Sequence, residues 1–204
     1  MNINIPGPTG VLEAMLDATG EAPENFAVLC HPHPQYGGNM FDTVLDVLAT
    51  ACQRCDVATL RFNFRGVGAS AGDYDNGSGE VQDLLAAIAW LKTEYEARDL
   101  WLGGYSFGAN VVWKALPLTE APRRVLLVAP PVGFMEFDGR GPGCPVDVFA
   151  GDVDEFIDND ALARWQDVES HLIQGANHFF MGAQDQLGTA IDEVLSARQQ
   201  RPHQ

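Results

Sequence analysis

Short apolar runs bounded by Gly, Pro or Asp alternate along the chain with longer stretches in which apolar residues recur every three or four positions. The first pattern belongs to strands and the second to helices with one face to bury. Their alternation predicts a mostly parallel α/β sheet. Strands are predicted over Gly10–Asp17, Phe26–His31, Val57–Phe62, Leu100–Gly104, Val125–Ala129, Val146–Ala150 and Val168–Ile173. Between them, Met40–Cys52 carries Met40, Phe41, Val44, Leu45, Val47 and Leu48 at helical spacing, and Glu80–Glu94 repeats Leu84, Leu85, Ile88 and Leu91. Further helices are predicted over Ser106–Leu116, Asp160–Trp165 and Gln184–Ala197. About seven strands with helices on both faces make a doubly wound sheet, in which ligands sit at the carboxyl ends of strands. No repeat, low-complexity tract or long polar linker divides the sequence, so residues 1–204 are expected to form a single domain.

Composition narrows the function classes. The 204 residues suffice for one substantial core, and 46% apolar with 20% charged residues is ordinary for a folded globular chain. Twelve Lys and Arg against 28 Asp and Glu give a net charge of −16, a field that repels polyanions and argues against a nucleic-acid partner. Residues Met1–Gly10 contain Pro6, Gly7 and Pro8 and set no basic residue ahead of an apolar run, so a secretory signal is not expected. The longest apolar runs, such as Val125–Pro131, are too short to span a bilayer, and a cytoplasmic location without a membrane partner is the expectation. Cys30, Cys52, Cys55 and Cys144 are expected as free thiols. Cys52-Gln53-Arg54-Cys55 matches C-x-x-C, but it falls at a helix end and lacks the second pair that a zinc ribbon needs, so neither a metal nor a cofactor is expected.

The sharpest chemical signal is Gly104-Tyr105-Ser106-Phe107-Gly108, a G-x-S-x-G that follows an apolar strand and opens a helix. That context suits a nucleophilic serine projecting from a tight strand-to-helix turn. A serine hydroxyl needs a base to take its proton and a carboxylate to orient the base. Downstream of Ser106 the histidines are His171, His178 and His203; His171 falls inside a predicted strand and His203 in the tail, whereas His178 follows Gly175-Ala176-Asn177 in a loop after a strand. His178 is therefore the candidate base. For the acid, Gly151-Asp152-Val153-Asp154-Glu155 follows the strand Val146–Ala150, and Asp154 is preferred to Asp152, which suits capping of the turn. An oxyanion needs two amides, one from Phe107 and one from the loop Cys30–Asn39. Pro32 and Pro34 have no N–H, which leaves His33, Gln35 and Tyr36, with His33 favoured. His31 and His33 as metal ligands lack an evident third partner.

Taken together, four segments resemble the compact α/β-hydrolases related to dienelactone hydrolases and small bacterial serine esterases. They are His31-Pro32-His33-Pro34 with Gly37-Gly38, Arg61 to Ser70, the Gly104 to Gly108 turn, and Gly151 to Asp154 with Asn177-His178-Phe179-Phe180. The resemblance spans nearly the whole chain and implies a Ser106, Asp154, His178 triad. It also implies that Arg65 to Gly72 forms the loop after the fourth strand of the usual scheme. Dienelactone hydrolases proper carry a cysteine nucleophile where this chain has Ser106, which points away from a dienelactone substrate, and the family's His-Gly opening of the oxyanion loop is replaced by His31-Pro32.

Pro130 to Cys144 is too short and too rich in Gly and Pro for a helical cap, so an open, shallow site is expected. Phe134, Met135 and Phe137 are candidates for its edge, and Tyr36, Phe107, Phe179 and Phe180 for its lining. The arginines of Arg61 to Ser70 offer either an anion site or, as the preferred reading, a loop held by guanidinium bonds to backbone carbonyls. The expected activity is hydrolysis of carboxylic esters of small acyl groups through an acyl-enzyme. Thioester or amide hydrolysis by the same residues, or a non-catalytic binding protein of the same fold, are the alternatives.

Overall fold

The computed structural model describes residues 1–18, 20, 23–137 and 143–199. Eight strands are present: β1 (Asn2–Gly7), β2 (Gly10–Asp17), β3 (Asn25–Cys30), β4 (Ala58–Phe62), β5 (Asp99–Tyr105), β6 (Arg124–Val128), β7 (Val146–Gly151) and β8 (Val168–Ile173). They form one sheet in the order β1-β2-β4-β3-β5-β6-β7-β8. Strands β3 to β8 run parallel, and β2 runs antiparallel to both β1 and β4.

β1 is an addition to the seven strands expected. Its alternation stops at Pro6 and Gly7, but as an edge strand it tolerates a proline that a central strand would not. Ile5, wholly buried, is the one β1 side chain in the core. All seven expected strands are present, β2 and β8 with the predicted bounds and the others with ends displaced by one residue.

The helices are α1 (Thr43–Arg54), α2 (Ser78–Glu94), α3 (Phe107–Ala115), α4 (Asn159–Leu162) and α5 (Gln184–Gln199). Helix α1 starts three residues later than predicted because the Asp42 carboxylate accepts from the Val44 and Leu45 amides at 2.9 and 3.4 Å, capping the helix at that point. Helix α2 starts two residues earlier than predicted, where the buried Glu80 carboxylate accepts from the Asp75 and Gly77 amides at 2.8 and 2.7 Å. α1 packs with α5 and α2 with α3, so that the two helix pairs cover the two faces of the sheet. Helix α3 is apolar nearly all round, and Phe107, Ala109, Val111, Val112 and Trp113 are all buried.

Arg61 in β4 and Arg65 in the loop after it are structural, by a different means from the one expected. Arg65 bonds a carboxylate instead of carbonyls: its Nε and Nη2 donate to Asp83 at 3.0 and 2.8 Å, and its own amide donates to Asp83 at 3.0 Å. Arg61 is held between Asp17, at 2.9 Å, and Asp46. Their charges are thus taken up inside the fold. Among the described residues, no helix lies between β6 and β7 and no cap domain covers the carboxyl ends of the strands. No helix among them is long and apolar enough to cross a membrane.

Candidate active site

Strand β5 lies at the centre of the sheet, and the chain must turn sharply at its end to enter α3. Ser106 makes that turn with φ 54° and ψ −115°, a conformation that costs a non-glycine residue of order 1–3 kcal/mol and is held only by well-packed surroundings. The surroundings are tight. A Cβ on Gly108 would lie 2.2 Å from the Cys30 carbonyl oxygen, and one on Gly104 would lie 2.4 Å from the Gly108 backbone, so both positions require glycine. The Ser106 amide donates to Val128 O at 2.9 Å, tying the turn to the end of β6.

Two loops bring the other candidates to Ser106. After β8, His178 is buried with its ring tilted against Phe156, the centroids 4.5 Å apart. After β7, Asp154 is buried beside it. A carboxylate can only accept, so His178 Nδ1 donates to Asp154 Oδ2 at 2.8 Å, which leaves Nε2 to accept from Ser106 Oγ at 2.9 Å. The second Asp154 oxygen accepts from the Phe156 amide at 2.8 Å. Asp152 faces elsewhere and takes the Gly175 amide at 2.6 Å, the turn-capping role that its position suggests. His171 lies on β8 and bonds Asp147 at 3.0 Å, alongside the Arg124 guanidinium; with Glu169 these form a group of ligand-type atoms whose Asp147 carboxylate is already neutralised by Arg124. His203 lies outside the described residues.

The loop after β3 is pinned at His31 and His33. Phe64 N donates to His31 Nε2 at 3.0 Å, so Nδ1 carries the proton and donates to Pro32 O at 2.7 Å. With both nitrogens used and the ring wholly buried, desolvation lowers the His31 pKa to about 4. The His33 carbonyl accepts from Tyr36 N and Gly38 N, both at 3.1 Å, and its Nδ1 accepts from Gln35 N at 3.2 Å. Its Nε2 then donates to the Tyr74 hydroxyl oxygen at 3.1 Å. Burial also lowers the His33 pKa, opposed by the charge of Glu80. Of the three candidate donors, Gln35 and Tyr36 already have acceptors for their amides. Among the described residues, the His33 and Phe107 amides have none. The His33 ring packs on that of Phe107 at 4.9 Å, which brings the two residues together.

Of the expected lining, Tyr36 is exposed and packs on His33 at 4.7 Å, and Phe179 is exposed and meets the His178 ring edge-on at 5.4 Å. Phe180 does not line the site. It is wholly buried, because its turn at φ 50° sends it into the core while Phe179 points out. Of the expected edge residues, Phe134 packs on Phe156, whereas Phe137 packs with Trp113 and Trp165, and Met135 packs against the core. Two contacts had no signal in the sequence. The Phe156 ring lies against His178, and the Tyr105 hydroxyl donates to the His178 carbonyl oxygen at 3.0 Å, across 73 positions of chain.

No family model matches the sequence. The Rickettsia prowazekii (strain Madrid E) protein RP471 is 32% identical over 97% of this chain and 89% of its own. An α/β serine hydrolase homologue from Coxiella burnetii is 36% identical over 96% of this chain and 97% of that one, with a TM-score of 0.89. The chain belongs to the compact α/β-hydrolase family. A third relative, XC6422 from Xanthomonas campestris, is a serine hydrolase of this family without a lid; it is 31% identical over the whole of this chain and 96% of its own, with a TM-score of 0.89. This compact α/β-hydrolase likewise leaves the carboxyl ends of its strands without a cap among the described residues.

Proposed function

We propose that this hydrolase cleaves carboxylic esters through a serine acyl-enzyme, with Ser106 as nucleophile, His178 as base and Asp154 orienting it. The observation that carries the reading is the unbroken line of hydrogen bonds from Ser106 Oγ through both nitrogens of His178 to Asp154, beside two backbone amides that have no acceptor among the described residues. His178 Nε2 takes the Ser106 proton as Oγ bonds to the ester carbonyl carbon. The carbonyl electrons move onto oxygen, where the amides of Phe107 and His33 stabilise them. When the carbonyl re-forms, the bond to the leaving oxygen breaks and Nε2 returns the proton to that oxygen. A water then attacks the acyl-enzyme by the same route, releasing the acid and restoring Ser106. The open carboxyl end of the sheet, without a cap among the described residues, favours a small acyl group over a long lipid chain.

The test is a fluorophosphonate probe followed by peptide mapping, paired with turnover of short-chain aryl esters. The expected adduct is on Ser106, and Ser106→Ala is expected to lose turnover by about 10⁴-fold or more. An adduct elsewhere, or wild-type turnover in Ser106→Ala, would overturn the assignment.

A further inference from the structure

We propose that the alcohol half of the substrate is neutral and apolar, carrying an aromatic ring that docks on a wall of phenylalanines built around His178. The proposal rests on the triad reading above and adds the chemistry of the leaving group. In acyl transfer the proton held on His178 Nε2 passes to the leaving oxygen, so that oxygen must come within hydrogen-bond reach of Nε2. Whatever the oxygen carries therefore lies against the surroundings of the His178 ring.

Those surroundings are aromatic on several sides. The Phe156 ring packs on His178 at 4.5 Å, Phe179 meets His178 edge-on at 5.4 Å, and Phe134 packs on Phe156 at 5.1 Å. Phe156 and Phe179 are themselves 6.3 Å apart and nearly perpendicular, a corner of the kind that takes a third ring by edge or face. The corner is open to solvent: Phe134 is 69% and Phe179 54% exposed. Exposed large apolar side chains gathered at one place mark a contact surface, and here they come from the loops after β6, β7 and β8, which meet at the base.

Charge in the described parts of these loops weighs against an anionic leaving group. Among the described residues 130–137, 151–158 and 174–182 there are Glu136, Asp152, Asp154, Glu155 and Asp158 and no Lys or Arg; Arg140 of the loop after β6 lies outside the described residues. A phosphate-bearing or carboxylate-bearing alcohol or thiol, such as a nucleotide-linked thioester, would meet repulsion from these five carboxylates. A neutral aryl or similarly apolar alcohol meets ring faces that gain by being covered.

The experiment compares acetate esters, which hold the acyl half constant. Phenyl acetate is set against hexafluoroisopropyl acetate, a ring-free ester whose leaving oxygen is of comparable acidity, and against 4-carboxyphenyl acetate, in wild type and in Phe134→Ala/Phe179→Ala. The wild type is expected to prefer phenyl over both others in kcat/KM. In the double variant the phenyl-to-hexafluoroisopropyl ratio should fall about tenfold, mainly through KM. Phenol should inhibit the wild type competitively and the double variant several-fold more weakly. An unchanged ratio, equal inhibition by phenol, or equal turnover of the carboxylated ester would overturn the proposal, as would a ring preference carried by ethyl benzoate instead of phenyl acetate. Failure of the triad reading looks different: Ser106→Ala would then hydrolyse all the esters at the wild-type rate.

Discussion

His31 illustrates how fully one side chain can be committed. Its Nε2 accepts the Phe64 amide and its Nδ1 donates to Pro32 O, so the ring is neutral in the folded protein and joins the loop after β3 to the chain after β4. In the unfolded chain the imidazole binds a proton below its usual 6.5, whereas burial holds it off in the folded state until about 4. Between those values the unfolded state carries more protons, so stability falls as pH is lowered through this window. The depression corresponds to about 3 kcal/mol. Urea unfolding of wild type and His31→Gln from neutral pH down to about 4 should show the wild type losing about that much more than the variant over the window. Parallel stability profiles would show that His31 does not titrate in this way. The same scale separates neighbours that sequence cannot tell apart. Asn177 Oδ1 accepts from the Phe179 and Met181 amides, and the turn so formed presents Phe179 to solvent and buries Phe180.

At the scale of elements, the start of the segment between β4 and α2 is tied to the helix by the Asp83 carboxylate. Asp83 is wholly buried in α2 and takes both the guanidinium and the amide of Arg65. Asp83→Asn would leave a buried cation without its counter-charge, and an unfolding free energy lower by about 3–5 kcal/mol is expected from urea titration. Arg65→Met in the same background should recover part of the loss, because it removes the stranded charge; no recovery would assign the effect to the amide bond instead. This dependence marks where reading the sequence stops. Strands β3 to β7 were legible because buried parallel strands are short apolar runs between turn residues. Ser106 and His178 were legible because each follows a predicted strand and a glycine. Asp83, Tyr105 and Phe156 gave no signal, since their partners Arg65 and His178 lie 18, 73 and 22 positions away and only the folded sheet brings them together. β1 was missed for a local reason: its apolar content is too small, and Pro6 and Gly7 look like a turn.

Across the whole molecule, the net charge of −16 acts on whatever approaches the open end of the sheet. Arg61 and Arg65, the arginines that the sequence offered as an anion site, are paired inside the fold, so they do little to reverse the field there. The field reaches about 30 Å at 0.01 M salt and about 10 Å at 0.1 M. A neutral ester feels little of it at either concentration, while a carboxylated ester must approach against it. For 4-carboxyphenyl acetate, kcat/KM should therefore rise several-fold as NaCl is raised from about 0.01 to about 0.1 M, whereas for phenyl acetate it should change less than about twofold. Stopped-flow or steady-state rates at fixed pH measure both. A fall with salt for the anionic ester would mean that a local cation at the site outweighs the global charge, and the leaving group would then have to be sought among anions.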